Sequence, residues 1–294
     1  MSGSPLLEVL RLRRTYRRGG LFSRGRFAAV DDVTLTLTAE PQVFAIVGES
    51  GSGKTTLARM ILRLVAPSEG EIRLMGRPLA GDGASRAERI PDLEFRRLVQ
   101  PIFQNPFEAF SAYLPIDYYL VRTALNLQVA QHPKAARAAA DRALRSVGLS
   151  FERVAGKYIR QFSGGELQRI SIARALIPNP RLIVADEPVS MVDASLRMNI
   201  VNVFGQIRAE RGVSFIYITH DLSTAYYLSD FMIIMNKGRI VDQGRPQDIL
   251  ANPREDYTRE LVEAIPRLDR QWPEVAALKH AEPEAPVPRQ PTGT

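Results

Sequence analysis

PQVFAIVGESGSGKTTLARMILRLV, residues 41–65, decides the fold. It opens on a short apolar run, PQVFAIVG (41–48), that reads as a buried strand, and continues into TTLARMILRLV, which has helical spacing. Between the two lies GESGSGKT (48–55), a match to G-x-x-x-x-G-K-[ST] through Gly48, Gly53, Lys54 and Thr55. Glycines there let backbone N–H groups converge on phosphate oxygens at the positive end of the following helix. Lys54 is placed to reach the β and γ phosphates, the Thr55 hydroxyl suits Mg²⁺, and Ser50, Gly51, Ser52 and Thr56 complete the cradle. A chance glycine-rich turn would need neither the lysine nor the threonine. Alone, the motif says nucleoside triphosphatase or kinase.

The whole chain sets wider bounds. Its 294 residues suffice for a sizeable core, and 45% hydrophobic with 24% charged residues is ordinary for a globular protein. No apolar run approaches the length that spans a bilayer, and MSGSPLLEVLRLRR at the N-terminus lacks the order of a secretory signal. With 0 cysteines, the chain has no disulfide framework, thiolate metal site or iron–sulfur cluster. These features point to a cytoplasmic chain whose membrane association is peripheral. The net charge of +7 is carried almost wholly by arginine. It forms no aromatic-interleaved basic stripe, so nucleic acid is not an expected partner.

Patterning outlines an α/β core interrupted by a mostly helical insertion. LLEVLRLRRTY (6–16) and AAVDDVTLTLT (28–38) read as strands joined by a basic loop, and GEIRLMGRPL (70–79) as a strand and turn. Helical patterns dominate from 87 to 178, including KAARAAADRALRSVGL (134–149). Strands resume at RLIVADEP (181–188) and VSFIYITHD (213–221), and DFMIIMNKGRIVDQG (230–244) reads as a hairpin. The expected units are therefore 1–86 (β subdomain and phosphate-loop part of the core), 87–178 (helical subdomain), 179–245 (remainder of the core) and 246–294 (C-terminal extension). The proline-containing tail from about 268 is expected to be loosely ordered.

Two further stretches carry chemistry. LIVADE ends an apolar strand on Asp186 and Glu187, where ligand-binding edges of parallel sheets lie. Asp186 suits a metal-holding role and Glu187 the polarisation of a water attacking the γ-phosphate. His220 ends a second apolar strand and belongs to the same candidate edge. QFSGGELQR (161–169) places two glycines before a helical run, a second phosphate cradle more than a hundred residues after the first.

With these motifs in order, the sequence resembles the ATP-binding subunit of an ABC transporter. GESGSGKT matches the phosphate loop, FQN with Gln104 the glutamine loop, and FSGGE the signature. LIVADEP matches the acidic strand, SMVD with Asp193 the dimer loop, and THD with His220 the switch histidine. The match covers roughly residues 6–265. It implies a P-loop NTPase core with an antiparallel β subdomain and a helical insertion, binding ATP and Mg²⁺. It further implies that two such domains pair head to tail, so that Ser163, Gly164, Gly165 and Glu166 face a partner's ATP. Lys54, Glu187 and His220 then serve hydrolysis, and Thr55, Gln104 and Asp186 hold the metal. An aromatic from the N-terminal strands stacks on adenine, Tyr16 or Phe27. The dimer loop reads SMVD where SALD is common, and the signature begins with Phe162 rather than leucine.

LVQPIFQNPFEAF and NPREDYTRELVEAIP (252–266) are similar to segments of the oligopeptide and dipeptide importer branch. The implied partners are two transmembrane permease subunits, met near Asn105–Tyr113, and a second ATPase, either this chain or a relative. A solute-binding protein outside the cell is implied indirectly. An oligosaccharide importer of the same branch, and a soluble ABC ATPase without a membrane partner, are the alternatives.

Overall fold

The computed structural model describes residues 4–17, 25–81 and 89–264. The tail after about 268 and most of the basic loop after Arg17 lie outside the described residues. In chain order the elements begin with β1 (Leu7–Arg17), β2 (Arg26–Leu37), β3 (Val43–Val47), α1 (Lys54–Ile61), β4 (Glu69–Leu74) and β5 (Arg77–Gly81). Next come α2 (Asp92–Leu98), β6 (Val99–Ile102), α3 (Ile116–Asn126), α4 (Pro133–Arg145), α5 (Phe151–Val154) and α6 (Gly164–Leu176). The chain continues with β7 (Leu182–Asp186), α7 (Ala194–Arg211), β8 (Ser214–Thr219), α8 (Leu222–Leu228), β9 (Phe231–Asn236) and β10 (Arg239–Gly244). It closes with α9 (Pro246–Ala251) and α10 (Asp256–Glu263).

Two sheets organise these elements. One is antiparallel, in the order β2-β1-β4-β5; the other runs β10-β9-β3-β8-β7-β6 and is parallel except for β10. Every residue of β3 and β8 is buried, the pattern of central strands covered on both faces. Alternate side chains then serve different cores. Phe44, Ile46, Leu182, Val184, Ile216 and Ile218 pack with α1 and the antiparallel sheet. Ile183, Ala185, Phe215 and Tyr217 pack with the helical elements and α7. Ala45 and Val47 join a third cluster under α8, α9 and α10.

From residue 89 to 178 the chain is mostly helical, as its patterning predicts, but it also contains β6. That strand pairs in parallel with β7, Ile102 opposite Ala185, so the chain leaves the core sheet only after residue 102. Four residues (VQPI) are too few to show a strand period against the helical background. Parallel register brings the carboxyl ends of β3, β6, β7 and β8 to one edge, with Val47 opposite Thr219 and Asp186 opposite Ile218. The residues that follow those strands meet there because the sheet leaves them nowhere else.

Phe204 anchors α7 to this sheet. It is fully buried, its ring centroid 5.3 Å from Phe215 and 5.9 Å from Tyr217, both edge-on. Phe204→Ala should lower stability by about 3–5 kcal/mol, measured by urea denaturation, because the rigid strands cannot collapse into the space.

Candidate functional site

Gly48 follows directly on β3, and the loop to Lys54 is built against backbone on its inner side. A Cβ on Gly48 would lie 2.2 Å from the Met235 carbonyl oxygen, and one on Gly53 would lie 2.2 Å from that of Ala29. Gly53 also has φ +105, so it needs glycine for its conformation as well as for space. The β9–β10 turn closes the back, Gly238 N–H donating to the Ser52 carbonyl at 2.9 Å. Pressed from behind, the loop opens outward onto a cavity of about 430 Å³. Ser50, Gly51, Gly53, Lys54, Thr55 and Thr56 line it.

Lys54 lies almost wholly out of solvent. Its ammonium donates to the Gly48 and Glu49 carbonyls at 2.6 and 2.8 Å and to Ser52 Oγ at 3.4 Å. Burial pulls its pKa below the ordinary lysine value, opposed by Glu187, Asp186 and Glu49. Thr55 Oγ1 donates to Asp186 Oδ1 at 3.3 Å. Asp186 is itself pushed up by burial, which outweighs the Thr55 hydrogen bond and the nearby cations.

Glu187 is the junction of the acidic group. Gln104 Nε2 donates to its Oε2 at 3.0 Å, and His220 Nδ1 lies 3.3 Å from its Oε1. Its backbone sits at φ +45, a left-handed conformation uncommon for any residue with a Cβ. The surroundings hold it there. Its N–H donates to the Ile218 carbonyl at 2.9 Å, and its own carbonyl accepts from Ser190 Oγ at 2.9 Å. Strain of this kind, maintained at a strand end, concentrates at working sites.

Tyr16 and Phe27 stand opposite each other across the β1–β2 pair, so both line the cavity and both are partly exposed. The two candidates from the sequence therefore occupy one wall. Arg14 lies beneath Tyr16, its guanidinium carbon 4.7 Å from the ring centroid, and fixes that ring.

The second cradle lies elsewhere. None of Ser163, Gly164, Gly165, Glu166 and Asp193 lines the phosphate-loop cavity. Ser163 caps α6 in a capping box: Glu166 N–H donates to Ser163 Oγ, and Ser163 N–H donates back to Glu166 Oε2 at 3.1 Å. Arg153 takes the other carboxylate oxygen at 2.7 Å. The Ser163 amide and then Arg153 hold the Glu166 carboxyl below its usual range. With both its oxygens engaged, Glu166 orders the turn. Asp193 stands exposed at the start of α7 with no side-chain capping bond.

Near Asn105–Tyr113 the aromatics divide. Phe110 is buried against Tyr119, whereas Phe107 and Tyr113 are exposed. The same side of the molecule carries a groove of about 520 Å³ that includes Arg63, Phe95, Phe103 and Arg174 and none of the phosphate-site residues. Tyr257 is the contact the motifs did not signal. Its hydroxyl accepts the Glu49 N–H at 2.9 Å, and only its place in the C-terminal segment NPREDYTRELVEAIP hinted at a role.

A family model described as ABC transporter matches residues 30–190. The oligopeptide transport ATP-binding protein OppF of Bacillus subtilis is 34% identical over 264 residues, covering 90% of this chain and 83% of that one. A Brucella ovis protein, provisionally named as a peptide import ATP-binding protein, is 37% identical over 269 residues, 92% of this chain and 81% of its own. Among solved structures, the dimeric ATP-binding cassette MJ0796 bound to ADP and Pi superposes with a TM-score of 0.69 at 25% identity, covering 82% of this chain and 98% of that one. The cbiO1 protein of Clostridium perfringens shares the fold, with a TM-score of 0.71 at 23% identity over 94% of this chain and 99% of that one. The phosphate loop, the acidic strand end and the capped second cradle thus stand on the architecture of an ATP-binding cassette, and the chain belongs to the ABC transporter family.

Proposed function

We propose that this chain is the ATP-hydrolysing subunit of a peptide importer, docked on the cytoplasmic face of the membrane against two permease subunits. The observation that carries the reading is the division of the phosphate-binding groups. One chain holds two cradles, and the second is absent from the cavity formed by the first. Head-to-tail pairing with a second ATPase would bring Ser163, Gly164 and Gly165 of each chain over the other's ATP, with the exposed Asp193 beside the joint. The names of the B. subtilis and B. ovis relatives support peptide import, and the dimeric cassette structure supports pairing. Among the described residues no helix is long and apolar enough to cross a membrane.

In this reading ATP lies in the 430 Å³ cavity with its adenine on the Tyr16–Phe27 wall and its phosphates against the loop amides. Lys54 keeps its two carbonyl contacts and turns the N–H that now meets Ser52 Oγ to the β and γ phosphates. The Thr55 hydroxyl, the Asp186 carboxylate and the Gln104 amide oxygen are the hard oxygen donors that suit Mg²⁺. That ion would neutralise phosphate charge. Glu187 orients and polarises the attacking water, and His220, already beside its carboxylate, steadies the developing charge. Gln104 touches Glu187 at the exit from β6 towards the helical elements, so it links the site to the groove where a permease segment would dock.

Two outcomes test this. Glu187→Gln should bind ATP with near-normal affinity and lose at least about a hundredfold in kcat, the scale of positioned general-base catalysis. Turnover within twofold of the parent would remove Glu187 from the role. Asp186→Asn should raise the melting temperature of the nucleotide-free protein at pH 7. The folded-state pKa of Asp186 lies above 3.8, so ionisation costs stability as pH rises through that interval. The asparagine escapes this cost while keeping an acceptor for Thr55. The gap should therefore be full at pH 7 and close towards pH 3.8; equal melting temperatures at pH 7 would contradict it.

A further inference from the structure

The phosphate loop is tied to the C-terminal segment through one peptide plane. Gly48 C=O and Glu49 N–H belong to the same peptide, and planarity points them in opposite directions. On the carbonyl side sits Lys54 Nζ at 2.6 Å; on the N–H side sits the Tyr257 hydroxyl at 2.9 Å. Glycine at 48 is sterically required, and without a Cβ it leaves the orientation of this plane to the hydrogen bonds at its two ends. A bond at the N–H end stops that rotation and keeps the carbonyl aimed at the lysine.

Tyr257 is held so that it can do this. It lies in the first turn of α10, whose Tyr257, Leu261 and Val262 pack into the cluster formed by Val47, Met232, Ile234 and Ile249. Val47 immediately precedes Gly48, so ring and loop are anchored on the same strand end. Burial raises the phenol pKa above 10.0, so at neutral pH the hydroxyl is un-ionised.

We infer that Tyr257 is a positioning residue for nucleotide binding, orienting Lys54 through the Gly48–Glu49 peptide. The inference rests on the ATPase reading above.

The test compares the full-length parent, Tyr257→Phe and Val262→Ala by competition of ATP and AMP against a fluorescent nucleotide, with melting temperatures recorded alongside. Tyr257→Phe keeps the packed ring and removes only the oxygen. Because Lys54 serves the β and γ phosphates, the ATP dissociation constant should rise about three- to tenfold, the scale of one neutral hydrogen bond, while that of AMP stays within twofold. Val262→Ala should lower the melting temperature and leave the ATP constant near the parent's. Equal ATP affinity in the parent and Tyr257→Phe overturns the proposal. Equal weakening of ATP and AMP overturns it too, as does the same ATP loss in Val262→Ala, which would make docking of α10, not the hydroxyl, responsible. A parent that binds no ATP sinks the ATPase reading and this inference together.

Discussion

Backbone pressed against backbone is the constraint on which the site depends. The loop 48–55 is packed so closely on its inner side that nothing larger than hydrogen fits behind Gly48 and Gly53, and it opens outward onto the cavity. Met235, Ala29 and Gly238 supply the wall, and they come from β9, β2 and the β9–β10 turn. Both sheets therefore contribute to one loop. A preformed loop needs no ordering when a ligand arrives, which keeps the entropic cost of binding low.

Charge gives the loop its second character. Lys54, Asp186 and Glu187 are crowded into a partly dehydrated edge, where burial disfavours both the lysine cation and the Asp186 anion. Such an arrangement is poor for stability and suited to a ligand that brings its own charge. Hydrogen bonds from Gln104 and Thr55, and the contact of His220, restrain the acids meanwhile. Around α6 the logic differs. There Glu166 and Arg153 neutralise each other and leave the Ser163–Gly165 turn ordered.

Much of this was legible in the sequence because the candidate residues sit at element boundaries. GESGSGKT separates a strand from a helix, LIVADE ends a strand, and FSGGE opens a helix, so each motif announces its own position. The hairpin at 230–244 and the helix within 134–149 followed from patterning alone. Three features were not legible. β6 is too short to show a period. Tyr16 and Phe27 looked like rivals because the intervening loop hid the register that places them face to face. Tyr257 reaches Glu49 across 208 positions, and no local pattern encodes a contact of that range.

The central claim is that each chain carries half of two sites, joined by ATP. Its most direct test is sedimentation velocity on Glu187→Gln, alone and mixed with any ATPase that copurifies with it from native membranes, with and without Mg-ATP. The account predicts a monomer without nucleotide and a dimer with it. A bulky side chain at Gly164, where even a Cβ would lie 3.2 Å from the Met191 carbonyl oxygen, should abolish that dimer. Saturation with ATP while every species remains monomeric would contradict the account.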